Sequence, residues 1–165
     1  QAGNINLNSE KIRLTDSGAI RSDILGSGNG GIITLRATDI KIDGFNETIG
    51  RMSRISSRMG FNSPNAVGNG GSVVVNTQNL RLSKGSAGSL TFNASESIEV
   101  TGAYLPKTGN LIASGLQAIV DREAVGKGGN ITVATPQLNI MNGGEITAAV
   151  FGNGDAGNIA IQADT

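Results

Sequence analysis

The chain has no cysteine, histidine or tryptophan, and only 3% of its 165 residues are aromatic. The absence of cysteine excludes a disulfide scaffold and a thiolate metal site. The absence of histidine removes the commonest general base and the commonest ligand of transition metals. Few aromatic side chains also means few stacking platforms for sugar rings. We therefore expect no bound metal and no cofactor.

Charge of one sign and long apolar runs are also missing. The formal net charge is +0, which gives no electrostatic reason to expect nucleic acid or an anionic membrane as a partner. No apolar stretch is long enough to span a bilayer, and no signal-peptide pattern opens the sequence. We predict neither nucleic-acid binding nor membrane insertion, and the length suits one domain.

Glycine is abundant, and six of the 25 glycines open a short segment whose large apolar residues lie two positions apart. This spacing is typical of strands, in which alternate side chains face the same way. The six repeat glycines, which define six repeat units, are Gly3, Gly31, Gly71, Gly88, Gly129 and Gly157. The apolar positions predict two buried columns across the units, Ile5/Ile33/Val73/Leu90/Ile131/Ile159 and Leu7/Leu35/Val75/Phe92/Val133/Ile161.

Two further signatures follow in most units. A second apolar pair lies nine and eleven positions after the repeat glycine in four units, and ten and twelve positions after it in the fourth unit. These pairs are Ile12/Leu14, Ile40/Ile42, Leu80/Leu82, Ile98/Val100 and Leu138/Ile140. A third signature starts at Ile20, Ile55, Ile112 and Ile146, and the unit that begins at Gly71 lacks it.

Three short strands per unit predict an all-β fold, a single-stranded parallel β-helix (solenoid) of about five to six coils. Residues 1–165 then form one repeat domain, and we expect it to be a fragment of a longer array. The structural rival is an open antiparallel sandwich, which requires tight hairpin turns between neighbouring strands.

The glycine-rich stretch at residues 126–129, "GKGG", raises the question of a phosphate loop. Such a loop needs GxxxxGK followed by Ser or Thr and then a helix, whereas a strand pattern follows here. A calcium-binding repeat needs tandem GGxGxDxUx copies, and residues 152–157 offer one imperfect match. We interpret these glycines and asparagines as corner residues that tolerate positive φ.

The run "GKGGNITVATPQLNIMNGGEITAAVFGNGDAGNIAIQA" resembles the repeat region of filamentous haemagglutinin-like exoproteins. Its motif is G-N-I-x-[IV] followed by L-x-I-x-x-G-G-x-I-x-[AS]. These are large bacterial proteins exported by two-partner secretion. The resemblance implies a right-handed β-helical shaft, a secreted or cell-surface location, an adhesive role and an outer-membrane secretion partner. The secretion domain of that family, with its Asn-Pro motifs, has no match in this sequence.

Two units carry an insertion at the same corner. Two positions separate Gly18 from Ile20, whereas eleven separate Gly44 from Ile55 and ten separate Gly102 from Ile112 in the second and fourth units. Because equivalent corners of a stack share an edge, we expect the inserted loops to cluster there. The candidate ligand-binding patch comprises Arg51, Arg54, Arg58, Tyr104, Lys107 and Arg122.

The patch has two interpretations. It could bind a glycan or protein on a host or neighbouring cell, or the loops could only keep the shaft soluble; the sequence favours the second. The alternative function is a β-helical polysaccharide-processing enzyme or a carbohydrate-binding module. Enzyme chemistry needs converging carboxylates, whereas the 13 acidic residues are scattered. We therefore predict no catalytic residues and a structural or adhesive module.

Overall fold

The structure is a computed structural model that describes residues 2–23, 27–57, 67–69, 71–83, 85–88, 90–105, 112–120 and 125–165. These ranges contain nineteen β-strands and no helix, and hence no helix that could cross a membrane. The strands are β1 (Ile5–Asn8), β2 (Lys11–Leu14), β3 (Ala19–Arg21), β4 (Ile32–Arg36), β5 (Asp39–Asp43), β6 (Phe45–Asn46), β7 (Arg51–Ser56), β8 (Val67–Asn69), β9 (Ser72–Ser83), β10 (Gly85–Gly88), β11 (Leu90–Thr101), β12 (Ala103–Tyr104), β13 (Ile112–Ala113), β14 (Gly115–Val120), β15 (Val125–Lys127), β16 (Ile131–Thr135), β17 (Gln137–Met141), β18 (Glu145–Val150) and β19 (Ile159–Ala163).

The largest sheet is parallel, and its strands follow one another across the sheet in chain order. One row runs β1-β4-β9-β11-β16-β19, and a second row, β2-β5-β9-β11-β17, joins it because β9 and β11 are long enough to belong to both. A second sheet runs β3-β7-β10-β14-β18 and is parallel along that path. Each strand of these rows therefore pairs in parallel with its equivalent in the next repeat unit, which excludes the antiparallel sandwich.

The pairing register confirms the alignment of both predicted columns, but burial is confirmed only for their inner members, since Leu7, Ile159 and Ile161 at the ends are exposed. Ile33 pairs with Val73, Val73 with Leu90, and Leu90 with Ile131, and the neighbouring column is in step with this one. Val73 and Ile131 are fully buried, and Leu90 is nearly so. Side chains from both sheets, including Ile55 of the second, belong to one hydrophobic cluster. Full burial of each such side chain stabilises the fold by about 1.5–3 kcal/mol.

The shifted spacing in the fourth unit has a structural cause. Between Ala94 and Ser97 the register of β11 against β9 slips, because three steps on β11 match the two from Thr77 to Asn79. The extra residue is a β-bulge, which leaves one residue unpaired and re-aims its neighbours. Ile98 still pairs with Leu80 beyond the bulge, so the buried columns continue.

The third strands correct two sequence predictions. Ile112 lies in β13 outside the second sheet, and Leu116 of β14 takes the position opposite Ile146. The third unit does have a third strand, β10, in which Ala87 pairs with Ile55 and Leu116. The expected isoleucine is replaced by alanine there, so the apolar signature vanishes although the backbone pairing remains.

The prediction of positive φ in the glycine-rich corners is confirmed at Gly154, as it is at Gly28 and Gly68. It does not hold for the repeat glycines Gly31, Gly71, Gly129 and Gly157, which have another role. A Cβ on Gly31 would overlap the carbonyl oxygen of Gly3, and one on Gly71 would overlap that of Gly31. Gly31 and Gly71 are required because adjacent units approach each other closely, whereas Gly3 in the first unit has no such neighbour.

Asparagine side chains at the corners satisfy backbone groups of the next unit, as the sequence suggests. Asn4 Oδ1 accepts a hydrogen bond from Ile32 N at 2.8 Å, and Asn130 Oδ1 accepts one from Asn158 N at 2.9 Å. The "GKGG" stretch contributes to β15, which pairs with β8, and Gly128 N donates to Asp155 O at 2.8 Å. Its backbone therefore binds its own neighbours in the stack.

Candidate functional site

In the first and fifth units, the corner between the second and third strands is a tight turn. Asp16 and Ser17 both have positive φ, and Gly18 N donates to Thr15 O at 2.8 Å. Positive φ at both central residues is the signature of a type I′ turn. In the fifth unit Asn142 is the first of two successive residues with positive φ.

In the second and fourth units this turn is replaced by a short antiparallel hairpin. In the second unit β6 pairs with the start of β7, Phe45 opposite Met52. In the fourth unit β12 pairs with β13, Tyr104 opposite Ile112. Gly44 and Gly102, which have positive φ, carry the chain from the second strands into the hairpins. We call the described hairpin residues, 45–52, 103–105 and 112–113, the insertion edge.

The two hairpins meet across the third unit, which has no such hairpin among its described residues. The rings of Phe45 and Tyr104 are stacked with centroids 3.8 Å apart and an interplanar angle of 24°. Aromatic pairs of this kind contribute about 0.5–1.5 kcal/mol beyond the area they bury. The predicted clustering of the loops is confirmed for these residues, and the ring contact joins the hairpins into one surface.

The insertion edge combines apolar, aromatic and cationic groups. Ile49 and Leu105 expose 56% and 67% of their surface. Phe45 and Tyr104 are half-buried, and Arg51 is exposed. A surface of this composition can pack against a protein or the apolar face of a sugar, with the guanidinium available to an acceptor.

Hydrogen bonds fix the first hairpin to the neighbouring unit. Asn46 Oδ1 accepts from the backbone N–H groups of Thr48 and Ile49, at 3.0 and 3.1 Å. Its Nδ2 donates to Asp16 Oδ1 at 2.8 Å, and Ser17 Oγ donates to Arg51 O at 2.8 Å. The hairpin thus has a defined position on the first unit.

The structure places three of the six predicted patch residues. Tyr104 and Arg51 lie on the insertion edge, whereas Arg54 lies on β7 opposite Ala19 and Ser86 of the second sheet. Ile55 is fully buried beside it, so Arg54 stands on the outer side of the sheet. Arg58, Lys107 and Arg122 lie outside the described residues.

Most of the apolar character of the edge comes from residues that the sequence did not single out, Phe45, Ile49 and Leu105. A usable signal was present, because Phe45 directly follows Gly44 at the start of an insertion and its neighbours are polar. Within the described ranges, no three acidic side chains group closely enough to hold a metal ion.

Comparison of the chain with protein-family models, with curated proteins and with solved structures gives no match in any of the three.

Proposed function

We propose that the chain is an adhesive or structural module of a secreted or cell-surface bacterial exoprotein, a right-handed parallel β-helix of five to six coils with a binding edge. Strand order supports the coil arrangement, because each strand in the main rows of both sheets pairs with the equivalent strand of the next unit. The motif resemblance supports the family, the handedness and export through an outer-membrane partner.

The observation that carries the adhesive function is the ring stack between Phe45 and Tyr104. Pairing of the repeat units needs neither hairpin, since the first and fifth units make the same corner with a two-residue turn. Two insertions at equivalent corners bury part of their aromatic surface on each other and leave Ile49 and Leu105 exposed. Such an exposed apolar surface with a polar rim is typical of sites that bind a protein or glycan.

The test removes the insertion edge and keeps the paired strands of the repeat units. Residues 45–52 and 103–113 are each replaced by a single glycine, which rebuilds the tight turn of the uninserted units. We expect beads coated with the parent chain to attach to epithelial cells or to neighbouring bacterial cells, and attachment to fall at least tenfold for the shortened chain. The matched control is Lys11→Ser on β2, which leaves both hairpins intact.

Circular dichroism and thermal melting establish that the shortened chain remains folded. Equal attachment by the parent and a folded shortened chain would contradict the binding edge. Loss of attachment in the Lys11→Ser control as well would show that general surface charge drives adhesion.

A further inference from the structure

A concave surface, separate from the insertion edge, lies where the chain passes from the first strand of each unit to the second. It is at the start of the second strands, whereas the insertion edge is at their end. Two adjoining cavities of about 520 and 380 Å³ share Asn76, Thr77 and Ser95 and form one open groove. The groove extends from Asn8 in the first unit to Gln162 in the sixth. We call it the amide groove.

The amide groove runs across the strands. Its central row follows the pairing register through all six units: Asn8, Arg36, Asn76, Asn93, Ala134 and Gln162. Paired strands lie about 4.8 Å apart, so five steps give a length of about 24 Å. An extended chain molecule would therefore lie perpendicular to the strands and meet a new unit at every step.

Hydroxyls form the floor, and carboxamides line the groove above it. Thr77 Oγ1 donates to Thr38 O at 2.9 Å, and Thr135 Oγ1 donates to Gln137 O at 3.1 Å, so both hydroxyl protons are engaged. Asn93 Nδ2 donates to Asn76 Oδ1 at 3.1 Å. The groove floor is thus held by internal bonds, with the two amides linked side by side.

Several polar side-chain atoms of the groove are free to bind a ligand. Within the part of the chain that the structure describes, no hydrogen bond engages Asn76 Nδ2, Asn93 Oδ1, Ser95 Oγ or the Gln162 amide. A carboxamide offers both donors and an acceptor, which suits vicinal hydroxyl groups that themselves donate and accept. The chemistry matches a hydroxyl-rich ligand.

The β-bulge of β11 shapes the middle of the groove. The extra residue lies between Ala94 and Ser97, and Ser95 lines both cavities. Glu96 Oε2 accepts a hydrogen bond from Asn79 Nδ2 at 3.0 Å. Because bulges re-aim side chains and often lie beside binding sites, the irregular residue falls where a ligand would cross from one cavity to the other.

Charge indicates a neutral ligand. The two cavities include one cation, Arg36 near one end, and one anion, Asp164 near the other, among their lining residues. Opposite single charges about 20 Å apart, four steps of the strand spacing, select neither polyanions nor polycations. Pectin-like acidic polymers are therefore poor candidates.

We propose that the amide groove binds an extended, neutral, β-linked glycan that lies parallel to the stacking direction. Each sugar of such a chain advances by nearly the spacing of paired strands, so successive hydroxyls meet successive units. An extended peptide advances about 3.3 Å per residue and falls out of step with a 4.8 Å row. Without aromatic platforms the affinity is weak, with a dissociation constant on the order of 1 mM.

The proposal is tested by titrating the ¹⁵N-labelled 165-residue chain with cellohexaose. We expect saturable shifts of backbone amides at residues 76–78, 93–97 and 134–137. Maltohexaose has the same composition but a curved α-linked chain, and we expect it to bind at least fivefold more weakly. Asn76→Ala with Asn93→Ala should weaken cellohexaose binding at least fivefold, whereas Asn139→Ala, on β17 outside the groove, should not change it.

Circular dichroism verifies that the variants are folded. Absence of saturable shifts with cellohexaose would overturn the proposal, and so would equal affinity for maltohexaose or for the double variant. Tighter binding of an extended eight-residue Ser/Thr peptide would identify a peptide groove instead and also overturn it. Deleting the insertion edge should leave cellohexaose binding intact, so the two proposals fail independently.

Discussion

At the level of single residues, the repeat glycines of inner units, such as Gly31 and Gly71, are required by contact between units. Gly71 shows this most clearly, because an added Cβ would overlap both Ser57 Oγ and the carbonyl oxygen of Gly31. Ser57 Oγ is itself held by a donated hydrogen bond to Gly31 O at 2.8 Å. Neither neighbour can move aside without breaking the contact between two units.

We therefore expect Gly71→Ala to destabilise the chain by about 1–3 kcal/mol or more, the usual cost of overpacking a well-packed site. The measurement is the midpoint of urea unfolding, with the slope checked for constancy. Gly3→Ala is the matched control, because no atom lies within 4 Å of its added Cβ. Equal midpoints for the two variants would refute the close-approach explanation.

At the scale of elements, the two hairpins depend on each other through the ring stack. Phe45 belongs to the second unit and Tyr104 to the fourth, yet their centroids are 3.8 Å apart. The third unit lies between them: Gly44 N donates to Ser83 O at 3.1 Å, and β9 pairs with β11. The contact between the two rings thus joins elements that are remote along the chain.

We expect a double-mutant cycle of Phe45→Ala and Tyr104→Ala to give a coupling energy of about 0.5–1.5 kcal/mol. Each single variant removes the same contact, so the second substitution should cost less in the background of the first. Unfolding free energies of the four proteins provide the measurement. The matched control pairs Phe45→Ala with Leu105→Ala; strictly additive costs for Phe45 and Tyr104 would show that the rings are not coupled.

At the scale of the whole molecule, stability depends on stacking, since no unit buries its apolar face alone. Val73 and Phe92, in β9 and β11, are fully buried, whereas Leu7 in β1 and Ile161 in β19 expose 39% and 49% of their surface. β9 and β11 have partners on both sides, and β1 and β19 have a partner on one side within the described sheet.

Native-state hydrogen exchange of the 165-residue chain should therefore be graded. We expect amides of β9 and β11 to exchange only through global opening, and amides of β1 and β19 to exchange at least tenfold faster through local opening. β1 and β19 lie at opposite ends of the same row, so their exchange rates should both be raised. Uniform protection of all six units would show that the stack unfolds as a single cooperative body.

The strand period, the alignment of the first and second strands and the composition of the two apolar columns could all be predicted from the sequence. Each depends on large apolar residues recurring two positions apart, a pattern that backbone geometry translates directly into facing side chains. Even the insertions were visible as longer intervals between recognisable positions, such as Gly44 to Ile55.

Features without an apolar signature could not be predicted from the sequence, because they depend on how the units pair in the folded protein. Pairing of β10 through Ala87, and the choice of Leu116 over Ile112 opposite Ile146, depend on backbone hydrogen bonds with neighbouring units. The Phe45–Tyr104 stack and the amide groove arise from the same cause, since they join residues of different units. Distance along the chain does not encode such contacts; they exist because the strands pair at a fixed spacing.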